Sequence, residues 1–236
     1  MVLPIADENP AMRTPWVTGG LIVACVAIYL WQHLVLSTEA AREVELAFGL
    51  IPAALTGREL PPDAAWLPPF ATLFTSMFLH LGLLHLAGNV LFLWVFGNNV
   101  EDAMRHSRFA LFYVICGILA AIVHVLANPG SMAPACGASG AVSGVLGAYV
   151  LLYPRARVLL ALPLGFINVH FGRWPAVWVF AAWVGLQVII GAVALARASD
   201  GVTLIGGAGA HVGGFVAGLL LVTIFKRRDV PLWRRY

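Results

Sequence analysis

Charge is what this sequence has least of. Only 11% of its 236 residues are Asp, Glu, Lys or Arg, against about 25% in a soluble domain. The stretches Ala64 to Val100 and Phe109 to Pro154 carry no charged side chain at all. With a mean hydropathy of +0.88, this excludes an ordinary soluble fold and implies a polytopic, all-α membrane protein. The first apolar run begins at Trp16, so no separate soluble domain is expected. That run, Val17 to Leu36, is longer than a signal-peptide core and follows acidic Asp7 and Glu8, so a retained helix is expected.

Other absences narrow the function. There is no Gly-Lys-Ser/Thr phosphate loop and no dinucleotide fingerprint after a strand, so no cofactor is expected. No His-Glu-x-x-His occurs and no metal is expected. Three cysteines, Cys25, Cys116 and Cys136, form no spaced pair. The first two suit packing inside apolar runs, and Cys136 is expected to be partly exposed. No charged residue falls inside an expected crossing, which argues against ion-coupled transport and against a membrane aspartyl protease, whose two carboxylates share a proton. The absence of an internal repeat argues against an inverted-repeat transporter.

What is present divides into six expected crossings. They run over about Val17 to Leu36, Gly82 to Gly97, Phe109 to Ala127, Ser139 to Tyr153, Pro175 to Ala196 and Ile205 to Phe225. Residues 1–15 are expected to be a short, frayed cytoplasmic segment. Residues 16–225 form the six-helix domain and residues 226–236 a basic cytoplasmic tail. Between the first two crossings, Val44, Ala47, Phe48 and Ile51 recur at helical spacing, as in a short amphipathic helix on the membrane surface. Pro61-Pro62 and Pro68-Pro69 break it. Glu101 to Arg108 reads as a charged turn, and Val158 to Gly172 as an apolar loop too short to span. With termini inside, the inner segments carry Arg13, Arg105, Arg108, Arg155, Arg157, Arg173, Lys226, Arg227, Arg228, Arg234 and Arg235. The outer ones carry only Arg42, Arg58 and Arg197. The positive-inside rule therefore supports an even number of crossings. It also accounts for the net charge of +3 without invoking nucleic acid.

The fourth crossing is short. About 15 residues give ~22 Å, less than the ~30 Å hydrocarbon core. Its start at Ser139 thus lies below the outer surface, and the loop before it must dip, which is tolerated only beside a cavity or inside protein.

Histidine, serine and asparagine are the remaining polar groups in the membrane. His85 and Asn89, four apart, share a helix face. His33 and His124 suit structural hydrogen bonds, and His80 suits bracing of the loop against the helix. Gly206, Ala210, Gly214 and Gly218 form one small-residue stripe, and Gly140, Gly144 and Gly147 another. Paired stripes let two backbones approach closely. Ser139 adjoins one stripe and His211 the other, so a hydroxyl can meet an imidazole. Serine as nucleophile, His211 as base, and the Ser139 N–H, His85 and Asn89 as oxyanion donors form a coherent Ser–His dyad.

The set resembles the rhomboid family of intramembrane serine proteases. The matching pieces are His80, His85-Leu86-Ala87-Gly88-Asn89, Gly137-Ala138-Ser139-Gly140, and Ala210-His211 followed by Gly214 and Gly218. The resemblance implies a six-transmembrane-helix bundle with a long first loop, Ser37 to Pro69, packed laterally. It implies Ser139 and His211 as catalytic residues, and His85 and Asn89 in oxyanion stabilisation. It also implies membrane-anchored protein substrates cleaved near the surface. Many members carry an aromatic residue four after the serine, stacked on the histidine; here that position is Ser143. The alternative within the same fold is a catalytically silent chaperone or binding protein; a small-solute channel is the other. The expected location is a bacterial plasma membrane, with both termini cytoplasmic.

Overall fold

The computed structural model describes residues 3–58, 67–164, 167–196 and 206–234. Its elements in chain order are β1 (Leu3–Asp7), α1 (Trp16–Val35), α2 (Thr38–Phe48), α3 (Pro52–Leu55) and α4 (Pro69–Phe78). After them come α5 (Leu83–Met104), α6 (His106–Ala127), α7 (Ser139–Leu152), β2 (Arg157–Leu164), β3 (Ile167–Pro175), α8 (Ala176–Ala196) and α9 (Gly206–Phe225). Among the described residues, five helices are long and apolar enough to cross a membrane: α1, α5, α6, α8 and α9. The expected fourth crossing, α7, has 14 residues, too few by that measure. The expected break at Pro61-Pro62 and the polar turn Arg197 to Leu204 lie outside the described residues.

The second crossing is longer than expected. It passes through a π-helical turn, Leu93–Gly97, and continues to Met104, so Glu101 and Asp102 are helical and the charged turn shrinks to Arg105, with φ +72°. The reason lies far away in sequence. Glu101 is buried, 1% exposed, and its carboxylate caps the start of α1. Oε1 accepts from the Val17 N–H at 2.9 Å, and Oε2 accepts from the Thr18 N–H at 2.7 Å and the Thr18 hydroxyl at 2.6 Å. His106 Nδ1 lies 2.6 Å from Oε1. The opening N–H groups of a helix have no partner of their own. One carboxylate in the last turn of α5 therefore caps the start of α1 and meets the first side chain of α6. Glu101→Ala is expected to strand these donors and cost roughly 3 kcal/mol, read as a lower Tm in detergent. An unchanged Tm would contradict the capping role.

The expected inner loop after α7 is not irregular either. β2 and β3 form an antiparallel hairpin, pairing Arg157 with Pro175 and Leu164 with Ile167. β1 adds to its other edge, from Leu3 opposite Ala161 to Asp7 opposite Val158, in the order β1-β2-β3. Residues 3–7 are thus a paired strand and not frayed. An apolar hairpin edge has main-chain groups to satisfy, and the N-terminal segment satisfies them. Asp7 anchors it: Tyr149 donates its hydroxyl to the carboxylate, and Asn99 Nδ2 donates at 2.9 Å.

Burial raises the Asp7 carboxyl to about 6, against the pull of the Tyr149 hydroxyl. A raised carboxyl favours the folded state in its protonated form, so this contribution is full at low pH and fades as pH rises through about 6. The Tm of Asp7→Asn relative to the wild type is therefore expected to climb between pH 4.5 and pH 7.5. A difference that stays flat across that range would contradict the assignment.

The first loop packs on protein. Ser37 caps α2 by accepting from the Ala40 N–H at 3.2 Å, and α2 buries Ala47. Beyond it, Leu50 bridges Ala135 in both directions, at 2.9 and 2.8 Å, and the Ala53 N–H donates to the Ser131 carbonyl at 3.0 Å. Thr56 Oγ1 donates to the Pro129 carbonyl at 2.7 Å. The long loop thus clamps the segment that leads into α7.

At the centre, α7 is buried over almost its whole length and packs on α9 at backbone distance. A Cβ on Gly214 would run into the Gly140 carbonyl, one on Gly218 into that of Gly144, and one on Gly147 into that of Phe215. The pairs 140/214 and 144/218 keep one offset, so the two helices run parallel.

Candidate active site

The four residues singled out in the sequence come together. A cavity of about 260 Å³ is lined by Ser139, His211 and His85, with His124 from α6 and Cys136 from the loop. A second, of about 230 Å³, has Ser139, His211, His85 and Asn89 in its wall, together with Trp183 and Gln187 from α8. Serine and histidine thus face both spaces.

Each is positioned by a local cause. Ser139 opens α7, whose first turn has no side-chain cap, so N–H groups at this end are left to a ligand or water. Gly137, at φ +142°, sits in a backbone region that L side chains rarely adopt. A Cβ there would lie 2.5 Å from His85 Cε1. That glycine lets the imidazole lie against the chain just ahead of the serine. The Gly137 N–H is tied to the Ser76 carbonyl at 2.9 Å. Asn89 is buried and donates Nδ2 to the His85 carbonyl at 3.1 Å, one turn back.

His80 does the bracing expected of it. It is fully buried, its Nδ1 lies 3.3 Å from the Phe78 carbonyl, and its Nε2 accepts the Ala138 N–H at 3.5 Å. Donation by Nδ1 and acceptance by Nε2 are consistent with one neutral tautomer. Its ring also meets that of His85 edge-on at 5.3 Å. His33 sits at the end of α1 with Nδ1 3.1 Å from the Tyr29 carbonyl. Cys25 and Cys116 are buried and Cys136 is half-buried, all as free thiols.

Ser143 answers one question left by the sequence. Its hydroxyl donates to the Ser139 carbonyl at 2.6 Å, one turn back along α7. The ring beside His211 comes instead from α8, where Trp183 lies 5.9 Å away, tilted by 34°. Gln187, one turn further along α8, places Oε1 3.0 Å from His211 Nδ1. The sequence reading passed over Gln187, although a signal was there: it is the lone amide in an otherwise apolar and tryptophan-bearing helix, and polar groups in a membrane span are costly. Among the described residues no His/Cys/Asp/Glu group is arranged to hold a metal ion.

Comparison with known proteins points to one family. A family model described as the Rhomboid domain matches residues 68–228. The chain is 43% identical over 89 residues to the Rhomboid protease GluP of Bacillus subtilis (strain 168), which covers 37% of this chain and 17% of that protein. It is 34% identical over 112 residues to Rhomboid protein 1, mitochondrial, of Saccharomyces cerevisiae, covering 46% of this chain and 31% of that one. To the human Presenilin-associated rhomboid-like protein, mitochondrial, it is 28% identical over 173 residues, covering 67% and 40%. The matched regions make up less than half the length of each of these relatives. Two of the three are named mitochondrial, so these similarities do not support the expected bacterial plasma membrane. They and the spans support an integral membrane protein.

Proposed function

From the premise that this chain belongs to the rhomboid family, we propose that it is an intramembrane serine endopeptidase acting on membrane-anchored proteins. One observation carries the reading: Ser139 and His211, from separate helices in backbone contact, line two cavities with His85, and Asn89 joins them in the wall of the second.

In this mechanism Ser139 Oγ attacks the carbonyl carbon of a substrate peptide bond while His211 Nε2 takes the hydroxyl proton. The carbonyl oxygen becomes an oxyanion, held by the Ser139 N–H, the His85 ring and the Asn89 amide. As the C–N bond breaks, His211 returns the proton to the leaving amine. Water then attacks the acyl-enzyme with the same histidine as base, releasing the new carboxyl end and restoring the serine. No carboxylate takes part, so this is a dyad. The brevity of α7 supports a reaction below the outer surface, with water reaching it through the cavity. Six crossings, with α7 as the short one, put both termini on one side, and the distribution of arginines makes that side cytoplasmic.

The test is cleavage of a membrane-anchored reporter by the purified full chain in liposomes. Product from the wild type and none from Ser139→Ala supports the reading. Equal product from both would overturn it. A wild type that binds the reporter without cutting it selects the silent alternative.

A further inference from the structure

A general base needs its ring held and its tautomer chosen, and α7 supplies neither for His211. Ser143 spends its hydroxyl on the Ser139 carbonyl. The polar group that reaches the imidazole comes from α8: Gln187 Oε1, 3.0 Å from Nδ1.

We propose that Gln187 is a positioning residue for His211, its side-chain carbonyl accepting the Nδ1–H and so fixing the tautomer whose Nε2 lone pair serves Ser139. The proposal rests on the protease reading above. In a neutral imidazole one nitrogen carries the proton and the other accepts. A carbonyl at Nδ1 keeps the proton there and leaves Nε2 basic. An amide NH2 at the same place would force the opposite tautomer, which cannot take the serine's proton. When Nε2 is protonated during attack, Nδ1–H stays bonded to the same oxygen, so the ring does not turn between the two proton transfers. The bond also ties the alignment of the base to the seating of α8, a helix buried only at Ala176, Phe180 and Ala194. The titratable groups that share the two cavities with His211 are His85 from α5, His124 from α6 and Cys136 from the loop. No carboxylate, lysine or arginine is among the described residues lining either cavity.

The experiment uses the full chain in liposomes with a membrane-anchored reporter, beside labelling of Ser139 by a fluorophosphonate. Gln187→Leu keeps an apolar span and removes the acceptor. It is expected to lower kcat by about 10- to 100-fold with KM within about twofold of the wild type, and to slow labelling in parallel. Gln187→Glu restores an acceptor with charge. It is expected to recover most of kcat and to move the acid limb of the pH–rate profile upward, since an adjacent carboxylate favours imidazolium. Gln187→Leu with wild-type kcat, or Gln187→Glu matching Gln187→Leu in both kcat and acid limb, overturns the proposal. In either case a labelled wild type leaves the protease reading standing. A wild type that is neither labelled nor active removes both.

Discussion

Ser139→Ala is expected to lower kcat/KM for a membrane-anchored reporter by at least about 10⁴-fold, and His211→Ala by a similar factor. The double variant should be little worse than either single one, because in the proposed dyad nucleophile and base act as one unit. The oxyanion donors stay in place in all three, so a small residual rate above water is expected. Neither change should unfold the protein, since α7 and α9 meet through backbone at Gly140, Gly144 and Gly147. Two independent tenfold losses that multiply in the double variant would contradict a dyad.

The second large effect comes from glycines that touch no substrate. Gly214→Ala and Gly218→Ala each drive a methyl group into a carbonyl of α7, at Gly140 and Gly144 respectively. Backbone on the far side cannot swing away as a side chain does, so the helices must part. Overpacking of this kind costs roughly 1–3 kcal/mol. Parting by ~1 Å also takes the base from the nucleophile, and a misplacement of that size costs about 100-fold in rate. Gly185→Ala on α8 is the control: nothing lies within 4 Å of its new Cβ, and alanine is the better helix former. It should keep activity and gain or hold Tm. If Gly218→Ala matches that control in both Tm and kcat, close approach of α7 and α9 is not what assembles the site.

That Ser139 and His211 line common cavities was legible because its cause is local in sequence. Glycines spaced by four residues mark a helix face that admits another backbone, and Ser139 and His211 each adjoin such a face. The brevity of α7 was legible too. What could not be read depends on contacts between distant segments. The end of α5 looked like a turn because Glu101 and Asp102 are charged; the partners that satisfy Glu101, Val17 and Thr18, lie more than 80 residues earlier. β1 has no strand-like alternation strong enough to announce it, and its pairing exists only because β2 offers an edge. Gln187 was visible as an oddity in α8, but a sequence does not say which way a nearly uniform apolar helix turns. Only the rotation of α8 aims that amide at His211 and brings Trp183 beside it. The aromatic missing at Ser143 is thus supplied from another helix, a substitution across space that no reading of α7 alone reveals.

The most direct test of the central claim is covalent labelling of the membrane-embedded full chain with a fluorophosphonate, with the modified residue located by peptide mass. The account predicts one adduct, on Ser139, formed by the wild type and lost in His211→Ala. Labelling of Ser139 that persists unchanged without His211, or no adduct on Ser139 in a folded wild type, would contradict it.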